Sequence, residues 1–128
     1  MEENELQITI NRPVQDVFAF TLNPVNTATW IDGIKQEETN EWPVKVGSIY
    51  RNESTDGVWN QYELTELHEN ESFTLQSTEG NYSVQYTFKE SGDAQTNFTY
   101  HEWVNEGVLD ELFTLNHLQK LKEVLEVA

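Results

Sequence analysis

The chain has 128 residues, enough for one domain with a sizeable core, and is 37% hydrophobic and 12% aromatic. Its 23 acidic residues stand against seven basic ones, and the formal charge of −16 excludes nucleic acid as a partner and disfavours anionic membrane surfaces. There is no cysteine, which excludes disulfides, thiol nucleophiles and thiolate metal sites.

The opening residues MEENELQITI carry neither a basic n-region nor an apolar h-region. No apolar run approaches the roughly 18 residues of a membrane span. The expectation is a cytoplasmic protein without a signal peptide or membrane insertion.

Leu6, Ile8 and Ile10 alternate with Gln7, Thr9 and Asn11, which predicts a half-buried first strand. Arg12-Pro13 stops it, and Pro13 suits the first position of a helix because its missing N–H costs nothing there. Val14, Val17, Phe18 and Leu22 give that helix an apolar face, with Asp16 in its first turn. Asn23-Pro24 restarts a second short helix to about Thr29, with Asn23 as N-cap. Trp30 closes it and Asp32-Gly33 turns the chain into a sheet.

From there the pattern is all strand. A short ragged run over 34–38 precedes a loop at Glu41-Trp42-Pro43. Strands over 47–53 and 58–67 flank the hairpin signal Asp56-Gly57. A polar turn at 68–71 leads to a strand over 72–78, and Glu79-Gly80-Asn81 turns again. Tyr82, Val84, Tyr86 and Phe88 form the cleanest alternation. A turn at Ser91-Gly92-Asp93 then leads to a last strand over 96–104.

The C-terminal run 105–128 is the one long helical pattern. Leu118, Leu121, Val124 and Leu125 share a stripe, with Asp110 and Glu111 near its start and Lys120 and Lys122 in its second half, an order that complements the helix dipole. Val108, Leu112 and Leu115 point to the opposite side. Either the helix starts late after a loop, or Leu112, Phe113 and Leu115 face a cavity while the later leucines plug into the sheet. The overall expectation is an α+β domain in which an antiparallel sheet of about seven strands wraps a long helix.

The inward face of that sheet carries Tyr62, Leu64, Phe73, Leu75, Tyr82, Val84, Tyr86, Phe88, Phe98 and Tyr100. These residues make either plain core or the wall of a pocket. The tyrosines favour a pocket, since a buried hydroxyl needs a partner. Trp30, Trp42, Trp59 and Trp103 lie at element ends, as caps on the core or, if clustered, as one recognition mouth. His101 alternates outward with Thr99 and Trp103, and His68 sits in an acidic turn. His117, where the helical stripe changes side, is the histidine with a possible acid–base role. Asp32, Glu66 and Glu102 read as solvated surface, or else as pocket carboxylates. No HExxH, P-loop, G-x-S-x-G or G-x-G-x-x-G motif is present, so neither a metal nor a cofactor is expected.

Ile10-Asn11-Arg12-Pro13-Val14-Gln15-Asp16-Val17-Phe18, Asn23-Pro24 with Trp30, Val46-Gly47-Ser48, Tyr62-Glu63-Leu64-Thr65-Glu66, Gly92 with Thr96, and the closing helix Leu118 to Leu125 carry a resemblance. Together they resemble the START-like (SRPBCC) superfamily of polyketide cyclase/dehydrase, lipid-transfer and pollen-allergen-like proteins. The resemblance spans nearly the whole chain, residues 1–128, as one domain. It implies a helix-grip fold with two short helices after the first strand and a hydrophobic cavity between sheet and C-terminal helix.

The leading expectation is binding of a small hydrophobic or aromatic molecule by Trp30, Trp59, Tyr62, Phe73, Tyr86, Phe88, Phe98, Tyr100, Leu112, Phe113 and Asn116. The first alternative is a cyclase/dehydratase-type enzyme using His117, Tyr100 or Glu102. The second is an interaction module like the chaperone activators of the superfamily. The protein is expected to be a monomer or a homodimer.

Overall fold

Seven strands pair into one antiparallel sheet in the order β1-β7-β6-β5-β4-β3-β2 in the computed structural model, which describes residues 2–109 and 112–127. β1 (Glu2–Ile10) is followed by helix α1 (Val14–Leu22) and a 3₁₀ helix (Pro24–Thr29). The sheet continues through β2 (Ile34–Thr39), β3 (Ile49–Ser54), β4 (Trp59–His68), β5 (Ser72–Ser77), β6 (Tyr82–Gly92) and β7 (Gln95–Val104), and helix α2 (Leu115–Val127) ends it. The sheet curls as a half-barrel against the helices, the helix-grip α+β arrangement. Among the described residues no helix is long and apolar enough to cross a membrane.

Local chemistry accounts for the connections. Pro13 sits at the N-cap of α1 rather than inside its first turn, and its carbonyl accepts from the Asp16 and Val17 amides at 3.0 and 3.2 Å. The Asn23 side chain accepts from the Val25 amide at 3.2 Å and caps the 3₁₀ helix. Gly57, at φ 87°, takes the left-handed conformation that the β3–β4 hairpin requires. Val17, Phe18 and Thr21 form the buried face of α1. Phe18 meets Phe88 edge-on at 5.4 Å and Phe73 at 6.0 Å.

Helix α2 starts late. Leu118, Leu121 and Leu125 are 0–3% exposed, and burying each contributes roughly 1.5–3 kcal/mol. Leu112 and Leu115 are 48% and 56% exposed, so the earlier apolar set is not a second buried face. The helix has no acidic residue in its first turn and no basic residue in its last, so the expected dipole pattern is not realised; Asp110 and Glu111 lie outside the described residues.

The C-terminal end of α2 is capped from elsewhere in the chain. Arg12 donates from Nη1 to the Leu125 carbonyl at 2.9 Å and from Nη2 to Asp16 at 3.0 Å. Lys122 donates to the Thr9 carbonyl at 3.0 Å, Glu126 accepts from the Asn11 amide at 2.8 Å, and Lys120 pairs with Asp32. Helix, first strand and α1 are thus clasped at one end.

Candidate functional site

Inside the curl, α1, the 3₁₀ helix and the segment before α2 roof a cavity of about 90 Å³. Its apolar walls are Ile31, Ile34, Phe73, Leu75, Val84, Tyr86 and Phe113. Its polar groups are Thr21, Thr27, Glu37, Tyr50, Asn52, Tyr62, Tyr82 and Tyr100. No residue of α2 lines it, which corrects the expected position between sheet and C-terminal helix. The leucines of α2 are already buried, and Phe113, just before the helix, supplies the wall on that side.

Of the residues expected to bind ligand, Tyr62, Phe73, Tyr86, Tyr100 and Phe113 come together around the cavity. Trp30, 2% exposed, stands one layer behind, edge-on to Tyr86 at 6.2 Å and to Phe113 at 6.1 Å. Phe88 and Phe98 pack on each other at 5.4 Å and belong to the core beneath α1, not to the wall. Trp59 is 40% exposed, with the Arg51 guanidinium 4.7 Å from its ring centre. Leu112 and Asn116 are exposed and reach no part of the cavity. Among the described residues no ring contact joins any two of the four tryptophans, so they form no common mouth.

The polar candidates also separate. His117 stacks on Phe113 at 4.4 Å, Phe113 also stacks with Tyr100 at 4.2 Å, and the His117 Nδ1 accepts from the Thr114 amide at 3.1 Å. It caps the start of α2 and lines no part of the cavity. His101 faces outward and meets Glu3 at 2.8 Å; His68 is exposed. Asp32 and Glu66 are exposed, and the Lys120 ammonium holds the Asp32 carboxyl below its usual range.

Glu102 corrects the solvated-surface expectation, being only 2% exposed. One oxygen accepts from the Tyr82 hydroxyl at 2.6 Å and the Tyr100 hydroxyl at 3.3 Å. The other accepts from Asn4 Nδ2 at 2.9 Å and the Phe113 amide at 3.0 Å, and Asn4 also donates to the Phe113 carbonyl at 3.0 Å. The carboxyl therefore latches the cavity-closing segment to β7 and β1. Strict alternation already carried the signal: if His101 faces out, Glu102 faces in.

The ragged pattern of β2 hides Glu37 in the sequence. A register shift between Ile34 and Gln36 turns Glu37 and Thr39, rather than Gln36 and Glu38, toward the interior. The Glu37 carboxyl accepts from the Thr27 hydroxyl at 2.5 Å and from Asn52 Nδ2 at 3.3 Å, and burial pushes its pKa up. Burial likewise raises all five tyrosines, with the Glu37 charge adding to the effect at Tyr50, Tyr62 and Tyr86. The Tyr50 hydroxyl donates to the Leu22 carbonyl at 2.6 Å. The Tyr86 hydroxyl has no hydrogen-bond partner among the described residues, although Tyr86 is 8% exposed. Among those residues no cluster of His, Asp and Glu is arranged to hold a metal ion.

The fold recurs in solved structures of distant sequence. The Aha1 dimer from Colwellia psychrerythraea superposes with a TM-score of 0.75 at 17% identity, covering 99% of this chain and 98% of that one. The protein XoxI from Bacillus cereus gives 0.77 at 14% identity, covering 98% and 96%. Major latex-like protein 151 from Panax ginseng gives 0.70 at 21% identity, covering 98% and 95%. No curated protein matches the chain. The sequence profile of one family spans residues 1–126, and the chain accordingly belongs to the polyketide cyclase/dehydrase and lipid transport family.

Proposed function

We propose that the chain binds a small hydrophobic or aromatic molecule in the cavity roofed by α1, the 3₁₀ helix and Phe113. The observation that carries this reading is the hydroxyl of Tyr86, a residue only 8% exposed, which lines an aromatic-walled space and has no hydrogen-bond partner among the described residues. A cavity of about 90 Å³ is smaller than the roughly 150 Å³ that suffices for benzene in an engineered cavity. A ring-sized ligand therefore enters by displacing Phe113, the one aromatic wall carried on irregular backbone rather than on the sheet.

The test is a thermal-shift and NMR titration of the wild type and of Val84→Phe, which fills the cavity from β6. Saturable binding, at about 2.7 kcal/mol of stabilisation for ligand at a hundred times Kd, is expected in the wild type and not in the filled variant. Absence of binding across single-ring and branched aliphatic compounds, or equal binding by Val84→Phe, refutes the reading.

A second reading, acid–base catalysis of the cyclase/dehydratase kind, is favoured by Glu102 lying within hydrogen-bond reach of Tyr100 and by Glu37 facing the cavity. It requires turnover of a β-keto substrate that falls by about 10²-fold or more in Glu37→Gln. Turnover unchanged by that substitution removes Glu37 from it.

A further inference from the structure

The cavity has a charge asymmetry that an apolar ligand alone leaves unused. Glu37 enters from edge strand β2, and among the described residues it is met there only by neutral donors, the Thr27 hydroxyl and the Asn52 amide. A carboxylate offers about four acceptor positions, and these two bonds occupy half of them. Among the described residues no lysine or arginine lines the cavity. The facing walls are aromatic: Phe73 lies 4.7 Å from Tyr86, and Tyr62 meets Tyr82 edge-on at 6.3 Å. Ring faces carry the negative side of the aromatic quadrupole and attract cations, so an aromatic lining around a single carboxylate suits a positive charge better than a negative one.

We infer that the cavity selects a small cationic amine, its ammonium group on the Glu37 carboxylate and its hydrocarbon part against Phe73, Leu75, Val84 and Tyr86. This rests on the binding-site reading above and names the ligand class for it. An ammonium supplies donors in place of water, adds charge to a hydrogen bond, and brings a cation to the ring faces. Desolvation raises the Glu37 pKa in the empty cavity, and a bound cation acts in the opposite sense.

The experiment is a backbone-amide NMR titration at neutral pH with three ligands of one shape: benzylammonium, benzyl alcohol and benzoate. Benzylammonium is expected to bind at least about tenfold tighter than benzyl alcohol, and benzoate weakest, since one charge-assisted hydrogen bond is of that size. Glu37→Gln is expected to weaken benzylammonium by about tenfold or more and benzyl alcohol by less, so that the preference for the cation is lost. Equal or tighter binding of alcohol or benzoate overturns the cation inference and leaves the binding site standing; no binding of any of the three also overturns the cation inference, and the wider panel above then decides the binding site. Should Glu37→Gln fail to fold, the Glu37 carboxyl in the wild type is titrated by carbon-detected NMR. Its pKa falls on saturation with benzylammonium if the pair forms, and an unmoved pKa refutes it.

Discussion

Replacing Glu102 with leucine removes a carboxyl that ties the Phe113 segment to β7 and to Asn4 of β1. Four donors converge on its carboxyl, from Tyr82, Tyr100, Asn4 and the Phe113 amide. Not all are stranded by the change. The two tyrosine hydroxyls lie 3.3 Å apart and can bond each other, and Asn4 keeps the Phe113 carbonyl at 3.0 Å. That leaves the Phe113 N–H and one hydroxyl proton without acceptors, at about 1–3 kcal/mol each. Release of a buried carboxylate from its desolvation cost offsets part of this. The expected net loss is about 3 kcal/mol, or roughly 10–15 °C in Tm for a domain of this size.

Glu102→Gln should cost only about 1 kcal/mol. Its carbonyl can face Asn4 and Phe113, while its amide donates to hydroxyls that rotate to accept. Urea unfolding measures both variants, and amide hydrogen exchange at Phe113 should accelerate in the leucine variant only. A Glu102→Leu protein within about 0.5 kcal/mol of wild type, or a glutamine variant as weak as the leucine one, refutes the latch.

Three other outcomes are expected. All five tyrosines have folded pKa values above the unfolded value of about 10, so each contributes stability that is complete below that pH and is lost as pH rises beyond it. Phenolate absorbance should stay low in the native protein past pH ~10 and rise together with unfolding, and five independent ionisations near that pH would contradict the burial. Glu37 is also raised, so its contribution is complete below the unfolded carboxyl range and is lost as pH rises through its folded value. Glu37→Gln should therefore raise the urea midpoint at neutral pH and leave it unchanged in mild acid; equal effects at both pH values would contradict that sign. Leu121→Ala should cost about 2–5 kcal/mol by cavity formation, against less than about 0.5 for Leu115→Ala, with differential calorimetry as the measure.

Much of the architecture was written locally. Alternation of Tyr82, Val84, Tyr86 and Phe88, the Asp56-Gly57 hairpin, the Asn23 cap and the stripe Leu118, Leu121 and Leu125 each depend on neighbours within a few residues. Their backbone conformations follow wherever the chain then packs. The aromatic wall of Tyr62, Phe73, Tyr86 and Tyr100 was legible for the same reason, because period two sorts a strand's side chains onto faces before any partner is known.

The chemistry of the cavity was settled by contacts between distant parts of the chain. Asn4 finds Glu102 ninety-eight positions away, and a buried carboxyl is stable only where such donors converge. Glu37 turns inward because β2 takes a shifted register against β3, an effect of pairing that β2 alone does not encode. Trp59, as aromatic as Trp30, stays outside because its strand position faces away from the curl, where Arg51 covers it. Residue type and period determined which strands and helices form and which faces are apolar. Only tertiary pairing decided which polar groups share the enclosed space, because desolvation and hydrogen-bond satisfaction are properties of the assembled surroundings.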